Sequence, residues 1–137
     1  MMRTFKHRVC MAASDATALG IDGPVAKQIF HGAFTWSSWF WRRCVREEKA
    51  LTAPEAIRKI TSLPAERIGL PGRGVLRAGA WADVAIFDPG EFSDCGTVLE
   101  PNQLAVGMKH VLVNGVVEMR DGQLTDARAG AVIRRGN

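Results

Sequence analysis

The chain has 137 residues, of which 47% are hydrophobic and 23% charged, and a formal net charge of +4. This length supports one compact domain with a real core, but not a complete (β/α)8 barrel, which needs roughly 200 residues or more. The basic residues form no stripe. Arginine pairs occur at Arg42-Arg43 and Arg134-Arg135, and Arg46 runs straight into Glu47-Glu48, so the reading is a mixed-sign solvated surface with no nucleic-acid partner. No apolar run approaches the roughly 20 residues that span a membrane. The basic opening, 1–8, precedes too short an apolar stretch for a secretory signal. Cys10, Cys44 and Cys95 are widely spaced, with no disulfide framework. Free thiols and a cytoplasmic location are expected.

In chain order, the first element is a short apolar run, Val9-Cys10-Met11-Ala12-Ala13, ending in Ser14-Asp15. It reads as a buried strand that delivers a carboxylate at its C-terminal tip, where α/β barrels place catalytic groups. Cys10 within it reads as a small buried hydrophobe. A Gly- and Asp-containing loop follows over 19–24. A helix is predicted over 37–46, with Phe40, Cys44 and either Trp36 or Trp41 on one apolar face. Thr52-Ala53-Pro54-Glu55 has the pattern of a capping box and starts a second helix that turns Ala56, Ile57 and Ile60 inward. A short helix begins near Ser62 and stops at Gly69.

Beyond Pro71-Gly72 the pattern changes to strands and turns. Short strands are predicted over 74–76 and 83–88, and residues 91–107 read as a surface excursion. His110–Val113 and Val116–Met119 flank Asn114-Gly115, a strong hairpin signal, and Asp121-Gly122 supplies a second turn.

Ser14-Asp15-Ala16-Thr17 followed by Asp22-Gly23-Pro24 resembles the last barrel strand and loop of the amidohydrolase superfamily. His31-Gly32-Ala33-Phe34-Thr35-Trp36, Thr61-Ser62-Leu63-Pro64-Ala65, Gly74-Val75-Leu76 through Trp81-Ala82-Asp83, and Val111 through Asn114-Gly115 extend the likeness to its N-acyl-D-amino-acid deacylase (D-aminoacylase) group. The resemblance implies an α/β plus β architecture. Residues 1–70 would be the C-terminal end of a metal-dependent (β/α)8 barrel, with its last strand and closing helices. Residues 71–137 would be C-terminal strands of a small composite β-sandwich.

The same resemblance assigns roles. Asp15 would bind or face the catalytic metal, take the proton of the attacking water and pass it to the leaving amine. By itself, an Asp after a strand reads as a turn or cap residue. Ser14 would orient that carboxylate, or be a plain turn serine. His31 would touch the substrate carboxylate, or pack. His7, His110 and Asp83 read as structural. Trp36, Trp39, Trp41 and Phe34 read as helix packing, with an acyl pocket as the alternative.

The parent activity implied is zinc-dependent hydrolysis of a non-peptide C–N amide bond in N-acyl-D-amino acids. A catalytic zinc usually needs three protein ligands, and the isolated histidines of this chain do not supply them. The chain alone is therefore expected to bind no zinc and to be inactive. It would pair with a separate N-terminal amidohydrolase chain to act on a small N-acyl amino acid. Two alternatives stay open: a non-catalytic remnant or β-rich interaction domain, and a fragment of a cyclic-amide hydrolase of the dihydroorotase or hydantoinase kind.

Overall fold

A computed structural model describes residues 2–14, 20, 24–30 and 32–134. Its helices are α1 (Met2–Phe5), α2 (Trp36–Trp41), α3 (Ala53–Ile60) and α4 (Ser62–Ile68), and its strands are β1 (Val84–Phe87), β2 (Met108–Val113), β3 (Val116–Arg120) and β4 (Gln123–Leu124).

The helix predicted over 37–46 forms, with a change of pitch. α2 runs directly into a π-helical turn over Arg42–Glu47, marked by the bond from Glu48 N–H to the Arg43 carbonyl at 3.0 Å. The i→i+5 spacing makes neighbours of residues five apart, and Arg42 pairs with Glu47 there. Phe40, Trp41 and Cys44 are all buried, as the apolar face predicts.

α3 begins with half of the expected capping box: Thr52 Oγ1 accepts a hydrogen bond from Glu55 N–H at 3.4 Å and Pro54 sits in the first turn, while the Glu55 carboxylate turns to Arg58 and Lys59. Ala56 is buried, and Ile57 and Ile60 pack against the core. Gly69 closes α4 in the left-handed region, at φ +77°.

The four strands form one antiparallel sheet in the order β1-β2-β3-β4. Both predicted turns are present. Asn114 and Gly115 have φ of +50° and +84°, and Asp121 and Gly122 have +50° and +76°. Two successive positive φ values suit the right-handed twist of a hairpin. Val113 faces Val116 across the first turn.

Three expectations are corrected. Residues 9–13 form no strand, and Val9 and Met11 are 44% and 42% exposed. A strand exists through its ladder partners, and this segment instead bonds to α3, with Ala12 N–H donating to the Lys59 carbonyl at 3.3 Å. Cys10 is accordingly only half-buried. Residues 74–76 form no strand either. There Gly74, at φ +73°, passes so close to the α3–α4 corner that a Cβ would lie 2.8 Å from the Thr61 carbonyl carbon. Residues 91–107 are more than a surface excursion. Phe92 is buried, and Ser93 bridges Val106.

Phe40, Trp41, Cys44, Ala56 and Phe92 form the core, with Phe87 and Met108 packed against it. Trp41 meets Phe87 edge-on at 4.9 Å between ring centroids, and Phe5 meets Phe40 at 5.3 Å. Aromatic edges therefore join the helices to the sheet.

Truncating the buried Phe40 should cost stability: Phe40→Ala is expected to lower the unfolding free energy by about 3–5 kcal/mol in urea denaturation. Gly107 has φ +84°, and its Cβ would lie 2.5 Å from Phe92 N. Gly107→Ala should therefore cost more than about 1 kcal/mol. Gly79→Ala, with similar φ but open space around it, should cost less in the same measurement.

Candidate functional site

The segment that leads to Ser14 is held by the last turn of α3. Lys59 is fully buried. Its Nζ donates to the His7 carbonyl at 2.6 Å and to the Cys10 carbonyl at 3.1 Å, and lies 3.3 Å from Glu55 Oε1. Arg58 Nη2 donates to the Arg8 carbonyl at 3.0 Å. Arg58 also grips Glu55 at 2.8 and 2.9 Å. That hydrogen bond, opposed by desolvation and helped by Lys59, pushes the Glu55 carboxyl down to about 2.

At the far end of this segment Ser14 comes close to Gly32. A Cβ added to Gly32, which has φ +95°, would lie 3.8 Å from Ser14 Oγ. Two stretches far apart in sequence thus approach each other at Ser14 and Gly32. Asp15 and His31, expected to carry catalysis and substrate binding, lie outside the described residues.

His7, His110, Asp83, Trp39 and Trp41 make structural contacts among the described residues. His7 gives its carbonyl to Lys59. His110 accepts the Asp121 N–H on Nδ1 at 3.3 Å, which staples the second turn. Asp83 accepts from Asn114 N–H at 2.8 Å and pairs with Arg73. The Arg73 guanidinium in turn lies 4.7 Å from the centroid of Trp81. Trp41 is in the core, with Nε1 donating to the Pro89 carbonyl at 3.0 Å, and Trp39 packs on Phe5.

Arg42 forms a fork on Asp94, from Nε at 2.7 Å and Nη2 at 3.2 Å. This contact raises the Arg42 pKa. Burial would push the Asp94 carboxyl up, but the bond from Arg42 holds it below its usual value. Arg46 Nη2 reaches Ser93 Oγ at 2.6 Å. The pair ties the long β1–β2 connection to the π-helical turn.

A cavity of about 450 Å³ lies between α3 and β1. Its walls include Ile57, Ile60, Val75, Val84 and Met108. They are apolar, and the carboxylate among its described lining residues, Asp83, is paired with Arg73. These described residues offer no acid–base pair for catalysis. Among the described residues no group of three or more His, Cys, Asp and Glu could hold a metal ion. These residues therefore do not fit a zinc site. Nor is any helix among them long and apolar enough to cross a membrane.

Comparison with known proteins gives these features a family. Residues 7–118 match the amidohydrolase family, and the chain belongs to it. It is 38% identical over 133 residues to an N-acyl-D-glutamate deacylase of Alcaligenes xylosoxydans xylosoxydans, covering 97% of this chain and 26% of that protein. A crystal structure of D-aminoacylase superposes with a TM-score of 0.71 at 31% identity, over 74% of this chain and 21% of that one. An N-acyl-D-glutamate deacylase from Bordetella bronchiseptica, solved with zinc and a phosphonate mimic of the tetrahedral intermediate, gives a TM-score of 0.60 at 39% identity, over 68% and 21% of the two chains. The chain thus spans about a quarter of the length of the deacylase it matches nearly end to end.

Glu55 generates a pH prediction. Its carboxyl is held at about 2, below the ordinary value of 4.5. The stability it contributes is therefore present above its unfolded pKa and lost as pH falls from about 4.5 towards about 2. Acid titration of the unfolding free energy should show this loss, and Glu55→Gln should flatten the slope in that window.

Proposed function

We propose that this chain is the C-terminal segment of an amidohydrolase that cleaves the amide bond of N-acyl-D-amino acids. The observation that carries the reading is its collinear match, over 97% of its length, to one quarter of an N-acyl-D-glutamate deacylase. In this reading residues 1–70 close the barrel and residues 71–137 contribute to the β-sandwich.

The chemistry assigned to this chain is proton transfer and orientation. The Asp15 carboxylate accepts the proton of the attacking water and returns it to the departing amine nitrogen. The Ser14 hydroxyl orients that carboxylate, and His31 contacts the substrate's own carboxylate. Glu47, Glu55, Asp83 and Asp94 are engaged by arginine or lysine, which leaves them unsuited to binding a metal. In this reading Asp15 binds or faces the zinc, and the remaining zinc ligands come from a partner, an N-terminal amidohydrolase chain bearing a His-x-His sequence.

The experiment measures zinc content and hydrolysis of N-acetyl-D-glutamate for the 137-residue chain, alone and co-expressed with such a partner. Turnover is expected in the mixture alone, and Asp15→Asn should lower its kcat by at least ~100-fold. Turnover by the single chain, or full activity of Asp15→Asn, would sink the proposal.

A further inference from the structure

Lys59 has no part in the chemistry above, yet it is a fully buried lysine. Burying an ammonium is costly unless every donor is used. Here the three N–H groups have three acceptors: the carbonyls of His7 and Cys10, and Glu55 Oε1. Two of the three lie on the segment that ends at Ser14. The Lys59 backbone carbonyl adds a bond from Ala12 N–H, and the adjacent Arg58 holds the Arg8 carbonyl. One helical turn thus grips four positions of 7–12 through backbone atoms, with no dependence on their side chains. The segment is extended or turned, has no strand ladder, and carries half-exposed apolar residues.

We propose that Lys59 is a positioning residue for the deacylase site. Its ammonium gathers the carbonyls of His7 and Cys10 and so sets where the chain delivers Ser14. The functional part of this inference rests on the deacylase reading, whereas the anchoring part does not.

The test is amide hydrogen exchange on the full chain. Lys59→Met keeps the apolar stem and removes all three donors. Exchange over 8–14 should rise by at least ~10-fold, while β2 and β3 keep their protection. Lys59→Arg, which retains the charge and the donors, should restore part of the protection. Unchanged exchange over 8–14 in Lys59→Met overturns the proposal. If Lys59→Met instead exposes β2 and β3 as well, the wild-type chain decides by acetylation with an N-hydroxysuccinimide ester. Lys59 should then react at least ~10-fold more slowly than the exposed Lys6, Lys27, Lys49 and Lys109. Equal reactivity overturns the anchor.

In the active mixture, Lys59→Met should lower kcat by at least ~10-fold with KM unchanged. An unchanged kcat alongside faster exchange overturns the positioning role. Failure of the deacylase reading shows separately, as an inactive wild-type mixture or an active Asp15→Asn variant, neither of which alters the exchange result.

Discussion

Trp41 stands where the two halves of the molecule meet. Its ring edge packs on Phe87 of β1, Phe87 packs on Phe92 of the long connection, and its indole N–H is satisfied by the Pro89 carbonyl. A four-stranded sheet of short strands, half-exposed along β1, is short of buried apolar surface and gains it by packing against the helices. The helices face the same deficit, since α2 and α4 are six and seven residues long, too short to persist alone in water. Each layer therefore depends on the other. The π-helical turn fits this need: it keeps Cys44 in the core with Phe40 and Trp41 while bringing Arg42 and Arg46 to the connection they clamp.

Charge is distributed to serve geometry. Glu55 organises Arg58 and Lys59, and these two hold the opening segment by its carbonyls. Arg73 is shared among Asp83, Asn114 and the Trp81 ring, which fastens the loop after α4 to the hairpin turn. Arg42 with Asp94 fastens the β1–β2 connection. In each case a basic residue on one element reaches an acceptor far away in sequence.

In the proposed deacylase reading these fastenings acquire a purpose. A hydrolytic carboxylate works only when held close to its reacting partner, and in that reading the turn of α3, which bonds the carbonyls of His7, Arg8 and Cys10, is the reference for the segment that leads to it. Among the described residues, the apolar cavity between α3 and β1 is lined by no titratable group that is free to act.

Much of this was legible in the sequence because it is local. The Thr52 cap, the Gly69 stop, and the Asn114-Gly115 and Asp121-Gly122 turns depend on a few adjacent residues whose backbone preferences are strong. The apolar face of Phe40, Trp41 and Cys44 follows from helical spacing, and the motif order pointed to the family. Burial of Lys59 was not legible, since Glu55 and Lys59 at i,i+4 have the spacing of an ordinary solvated pair on a helix surface. Only tertiary structure puts the carbonyls of His7 and Cys10 over that helix face. The same holds for Phe92, which sits in a Gly- and Pro-rich stretch, and for residues 9–13, whose apolar run has a strand's composition but no strand beside it. Local conformation is written in neighbouring residues. Pairing and burial are decided by which distant atoms arrive.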